Sequence, residues 1–115
     1  MYNKSMSTAN SIPKSKGCVS NTVAILGDKW TPLIIRCLAD GSNRFCKLQT
    51  EAGGINPRTL SARLSHLEGS GIIQKTPSSE DGAVFPSYML TQKGRDLLPV
   101  ISAMADWGDK YAPAN

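Results

Sequence analysis

Histidine occurs once in this 115-residue chain, cysteine three times, and aromatic residues make up only 6%. His66 with Cys18, Cys37 and Cys46 has no paired metal-ligand spacing, and an odd cysteine count argues against a disulfide framework. No metal is expected. The longest strongly apolar run outside the N-terminus, Leu33 to Ile35, falls far short of the roughly 20 residues that span a membrane. Met1 to Lys16 is rich in Ser and Asn and has no apolar stretch of the signal-peptide kind. A cytoplasmic protein with no membrane partner is the expectation. The chain also lacks a phosphate-cradling glycine loop, paired carboxylates, internal repeats and low-complexity blocks. No catalytic residue and no cofactor are therefore expected, and an enzymatic role would rest on a reactive thiol alone.

What is present points elsewhere. At 40% hydrophobic residues the chain can bury one small core that would gain from dimerisation. Two parts are expected, a flexible N-terminal arm at 1–16 and a folded domain at 17–115. The net charge is +4, but Lys4, Lys14 and Lys16 lie in the arm with no acid beside them. In the remainder, Lys29 to Lys75 holds seven bases against Asp40, Glu51 and Glu68, whereas the stretch after Lys75 has three bases against five acids. Positive charge is thus concentrated in one half, as phosphate contacts require.

That half reads as a helix-turn-helix with a wing. Phe45, Leu48 and Ala52 are spaced for a short helix with Asn43 as its cap, and Gly53-Gly54 makes the tight turn after it. Asn56 then offers a capping oxygen and Pro57 a helical φ at the position where its missing N–H is harmless. Leu60, Leu64 and Leu67 recur at helical spacing until Gly69 and Gly71 end the pattern. At about 100° per residue, Arg58, Ala62 and Ser65 lie opposite the leucines, with Thr59 and Ser61 to either side. Arg63 lies nearer the stripe, which favours a phosphate contact or a salt bridge over a base contact. Such a small, polar face fits a major groove, where Arg pairs with guanine and Ser or Thr with bases or phosphates. Taken alone, the helix is equally an ordinary solvated amphipathic one; its flanks decide. Ile72 to Thr76 and Val84 to Leu90 read as two strands, Pro77 to Gly82 as the turn between them, and Thr91 as the cap of a following helix.

Two further helices, Val19 to Leu26 and Pro32 to Leu38, precede the motif, with Thr31 expected as the cap of the second and Trp30 packed in the core. From Thr91 onward Leu97, Ile101, Met104 and Trp107 keep helical spacing. With Leu98, Val100 and Tyr111 they form more apolar surface than one small domain covers, so a second subunit is the simplest partner. Pro99 should kink this helix or mark a new first turn. The fold class expected is mostly α with a small β-hairpin, a winged helix-turn-helix that dimerises through its N- and C-terminal helices.

Cys18 with Gly27-Asp28-Lys29-Trp30, Ile34-Ile35, Leu38, Arg44-Phe45 and Leu48 resembles the HxlR-type, MarR-like winged helix-turn-helix regulators. The match continues through Ile55 to Leu60, Arg63-Leu64, Leu67-Glu68, Gly71-Ile72, Tyr88, Leu90-Thr91, Gly94, Leu97 to Val100 and Trp107. The resemblance implies a homodimer whose first and last helices form the interface and whose two recognition helices read a palindromic operator in double-stranded DNA. It makes Arg58, Thr59, Ser61 and Arg63 the DNA-contacting candidates, places Lys75 and the wing near the minor groove or backbone, and puts Leu97, Ile101, Met104 and Trp107 at the dimer interface. The wing carries Glu80-Asp81 and no Arg, which argues against deep minor-groove entry by its tip. The family pattern has Pro after its N-terminal cysteine, whereas Val19 follows Cys18 here.

Cys18 lies near a helix start, where the dipole and Lys16 favour a reactive thiolate. Several relatives look like sensors of small reactive effectors through the matching cysteine, so Cys18 is the sensor candidate; the alternative is a buried structural cysteine. Cys37 reads as packing, Cys46 as partly exposed, His66 as a surface residue. The function expected is a repressor that occludes a promoter, the runner-up a winged helix used as a protein-interaction module.

Overall fold

The computed structural model describes residues 17–113, so the expected arm at 1–16 lies outside the described residues. The elements run α1 (Val19–Leu26), α2 (Thr31–Ala39), α3 (Phe45–Glu51), α4 (Pro57–Gly69), β1 (Ile73–Glu80), β2 (Ala83–Leu90), α5 (Gln92–Arg95) and α6 (Leu98–Lys110). The strands pair antiparallel as one two-stranded sheet, and the whole is the winged helix-turn-helix expected. No described helix is long and apolar enough to cross a membrane.

α2 buries Ile34, Ile35 and Leu38 at helical spacing, and Trp30 packs half-buried against the core. Thr31 is not its cap. Thr31 is the first helical residue with its side chain buried, and the Asp28 carboxylate accepts its N–H at 3.0 Å and its hydroxyl at 2.8 Å. A carboxylate three residues upstream thus satisfies a donor that every helix start leaves free.

Asn43 does not cap α3 either. Arg44 holds that position with an extended backbone (φ −117°, ψ 149°) and no capping side chain. The Asn43 carbonyl instead accepts the Tyr88 N–H at 2.9 Å, tying the entry of α3 to the wing. After α3, Gly53 and Gly54 turn the chain at φ 101° and 77°. Both lie where a Cβ is strained, so the glycine pair is what makes the turn between α3 and α4 this tight.

α4 begins as its sequence dictates. Asn56 Oδ1 accepts the N–H groups of Arg58 at 2.9 Å and Thr59 at 3.3 Å, and Pro57 occupies the first turn. Ile55 ahead of the cap and Leu60 in the helix are both fully buried, the arrangement of a hydrophobic staple. Leu60, Leu64 and Leu67 seat the helix on the core.

The hairpin is longer than expected. Pro77 to Glu80 belong to β1, and the turn is only Asp81-Gly82, at φ 52° and 81°. Two positive central φ values define the tight turn that matches strand twist. Pro77 faces Pro86 in the register. Counting from the closing pair Glu80–Ala83, these positions fall on a non-hydrogen-bonded pair, whose N–H groups point away from the partner strand. Proline therefore costs the ladder nothing there, and both outer edges of the wing lose a donor that a foreign strand would need.

Thr91 caps α5 as expected: its hydroxyl oxygen accepts the Gly94 N–H at 3.2 Å while donating to Gly71 O at 2.5 Å. The following segment is not one helix. It breaks between Arg95 and Leu98, and Pro99 lies in the first turn of α6. Gly94 lies against the hairpin base, where an added Cβ would collide with the Ile72 carbonyl oxygen. Ile101 closes the core from α6.

Candidate nucleic-acid interface

With its leucines turned inward, α4 presents Arg58, Ser61, Ala62 and Ser65 to the exterior, and Thr59 and Arg63 half-buried at the flanks. Two open cavities border this face. On one side Ser61, Ser65, Glu68 and Lys75 line a cavity of about 140 Å³ together with Phe45 and Tyr88. Lys75 is exposed on β1 opposite Tyr88, so the fold brings it beside the outer face of α4. On the other side Arg58, Thr59, Ala62 and Arg63 meet Asp28 and Trp30 around an opening of about 430 Å³. The five residues expected to touch DNA thus lie on one continuous surface, but in unlike states. Arg58 has no ion-pair partner among the described residues, whereas Arg63 Nη1 lies 3.5 Å from Asp28 Oδ2.

Two residues with no role assigned from sequence shape this surface. Asp28 is one. Arg44 is the other: its guanidinium lies 3.7 Å from the centroid of the Phe85 ring and 3.4 Å from Glu80 Oε1, binding the wing to the entrance of α3. The acidic wing tip is thereby partly neutralised within the chain. Asp28 meets Arg63, and Arg44 meets Glu80 and Phe85, across the fold, so no local spacing could have revealed these pairings.

The expected dimer residues divide. Ile101, 3% exposed, is used up in the core of its own chain, and Leu97 packs half-buried against that core. Met104 and Trp107 remain 46% and 69% exposed, continued by Val100 and Tyr111. Trp107 and Tyr111 lie with ring centroids 5.1 Å apart. α1 likewise leaves Val19 and Val23 exposed.

Cys18 is exposed at the start of α1 and makes no side-chain capping bond. Cys46 is exposed, and Cys37 is half-buried against the core. Burial pushes the Cys37 thiol up, and the Glu51 and Asp40 carboxylates add to this against the opposing pull of Arg36. Cys37 is held as a thiol, a packing group. His66 is exposed on α4, and the described residues contain no cluster of three His, Cys, Asp or Glu fit for a metal.

A model of the HxlR-like helix-turn-helix family matches residues 25–115. The HTH-type transcriptional regulator YdeP of Bacillus subtilis is 36% identical over 114 residues, covering 96% of this chain and 87% of that protein. The HTH-type transcriptional regulator Rv3095 of Mycobacterium tuberculosis is 38% identical over 95 residues, of which the chain spans only 59% of the length. Among solved structures, the reduced form of the transcriptional regulator YodB from B. subtilis superposes with TM-score 0.72 at 31% identity, covering 85% of this chain and 96% of that one. The redox regulator HypR in its oxidized form gives TM-score 0.76 at 28% identity, covering 85% of this chain and all of that one.

Proposed function

This chain belongs to the HxlR-like helix-turn-helix family, and from that membership we propose that it acts as a homodimeric repressor occluding a promoter at a palindromic operator. It is a helix-turn-helix transcriptional regulator, and double-stranded DNA is the partner that its family implies. The observation that carries the finer reading is the outer face of α4: uncommitted Arg58 between small polar residues, on a helix fixed by three buried leucines. A side chain free of internal partners can make the bidentate contact to guanine that base reading uses. Thr59 and Ser61 flank it, while Arg63 and Lys75 contact the backbone. The exposed apolar strip of α6, with Met104 and Trp107 at its centre, meets its copy in a second subunit, which places two recognition helices on one duplex. Residues 17–115 form the DNA-binding and dimerisation domain, preceded by the arm.

Regulation is assigned to Cys18. Cys18 is exposed at the start of α1, as Cys46 is in the first turn of α3, and of the two it is Cys18 that matches the N-terminal cysteine of the family pattern. The likeness to HypR, a redox regulator, supports this reading.

Selection of sheared genomic DNA by the reduced protein at rising salt tests the function. A two-fold symmetric site with half-sites about one helical turn apart, roughly 34–36 Å, is the expected result. Uniform recovery lost at modest salt would refute operator reading and leave the protein-interaction role. If Cys18→Ser left oxidant-induced release of the site unchanged, the sensor assignment would be wrong.

A further inference from the structure

We propose that the loop between α1 and α2 is a second DNA-contacting element: the opening between this loop and α4 seats one backbone phosphate on Arg63, and Asp28 is the residue that positions Arg63 for it. This deepens the reading above and rests on it, since it requires α4 to face DNA.

The geometry favours a phosphate over a base. Arg63 reaches sideways off α4 to Asp28 Oδ2 at 3.5 Å, so its guanidinium lies on the wall of the opening and away from the outermost face where base edges would be met. Asp28 is itself immobilised. Its oxygens take the N–H of Thr31 at 3.0 Å and the hydroxyl at 2.8 Å, and Thr31 is fully buried. A carboxylate fixed to the start of α2 makes a rigid anchor, and one long contact leaves most of the five guanidinium donors of Arg63 free for an anion. The surrounding charge agrees: Arg58 and Arg63 face a single carboxylate across the opening. On the same loop exposed Lys29 lies with its Nζ 4.8 Å from the centroid of the Trp30 ring, adding a cation beside an indole that lines the opening. Ala62 leaves room between the arginines, and Trp30 offers an apolar wall to a sugar. An opening of about 430 Å³ lined by two arginines and a tryptophan has room for a sugar-phosphate unit.

The test uses Asp28→Asn, because Asn also accepts N–H bonds at helix starts and keeps the cap while deleting the charge that holds Arg63. Affinity for the genomically selected duplex and for a random-sequence duplex is measured across salt for the wild type, Arg63→Gln, Asp28→Asn and the double variant, with thermal unfolding as the check on folding. Arg63→Gln is expected to weaken both duplexes by the same factor and to reduce the slope of log K against log salt by about 0.9, the value of one phosphate contact. Asp28→Asn is expected to weaken both duplexes although it removes a negative charge, and to add nothing once Arg63 is gone. Should Asp28→Asn unfold, Asp28→Ser, also a cap former, replaces it. Tighter binding by Asp28→Asn, an unchanged salt slope in Arg63→Gln, or a loss confined to the selected duplex would each overturn the proposal. Failure of Arg63→Gln alone, with Arg58→Ala behaving as a base reader, sinks this inference and the backbone role of Arg63 but leaves operator reading by α4 standing; a wild type that binds neither duplex sinks the parent reading with it.

Discussion

α4 and α6 are both 13 residues long, yet they finish their outer faces in opposite ways. α4 buries Leu60, Leu64 and Leu67 and shows the exterior only polar or small side chains, whereas α6 buries Ile101 alone and leaves Val100, Met104 and Trp107 exposed. The difference specifies two kinds of partner. A face with a free guanidinium and hydroxyls suits a hydrated, anionic surface; one carrying an indole and a thioether gains only by leaving water. On the proposed reading, one small domain presents a polar face to DNA and an apolar face to a second copy.

The largest effect that sharpens this contrast is expected inside α4. Leu64→Ala should cost about 2–5 kcal/mol of folding stability, measured by denaturant unfolding, because its side chain is buried in the protomer core. Trp107→Ser, on the exposed side of α6, should leave the folded protomer intact and weaken self-association by about 2 kcal/mol, as an aromatic anchor does; sedimentation over a dilution series reads this. A matching loss of protomer stability would break the contrast, since Trp107 would then belong to the core. Arg58→Ala should cost on the order of 1–3 kcal/mol on the operator and relax base preference, and equal losses on operator and random duplexes would contradict base reading. Asn56→Ala should cost about 1 kcal/mol of stability, because Arg58 and Thr59 lose the acceptor of their N–H groups.

The features read correctly from sequence are those carried by neighbouring residues. Asn56-Pro57 marks the start of α4 because the cap bond closes within three residues. Thr91 is legible for the same reason. Thr31 is misread locally, since the Asp28 carboxylate three residues upstream accepts its N–H and hydroxyl, but the other misreadings have the opposite cause. Asn43 has the composition of a cap, but its carbonyl serves Tyr88 across the fold, and Arg44 takes the capping position with its side chain committed to Glu80 and Phe85. Pro77 reads as a turn former, yet its pairing with Pro86 puts the missing donor on an outer edge, which only the register reveals. Ile101 keeps the spacing of the exposed strip, but the break between α5 and α6 aims it into the core. At the proposed DNA face the outward position of the α4 residues was legible from helical periodicity, while the Asp28–Arg63 pair was not, because it joins two elements far apart in the chain.

The central claim, that α4 meets DNA and α6 meets a second copy, is tested most directly by photocrosslinking with a photoreactive residue placed at Ser61 or at Met104, in the presence of genomically selected duplex. Position 61 should capture DNA and position 104 a second copy of the chain. Capture of protein without DNA at position 61, or of DNA at position 104, would contradict the account.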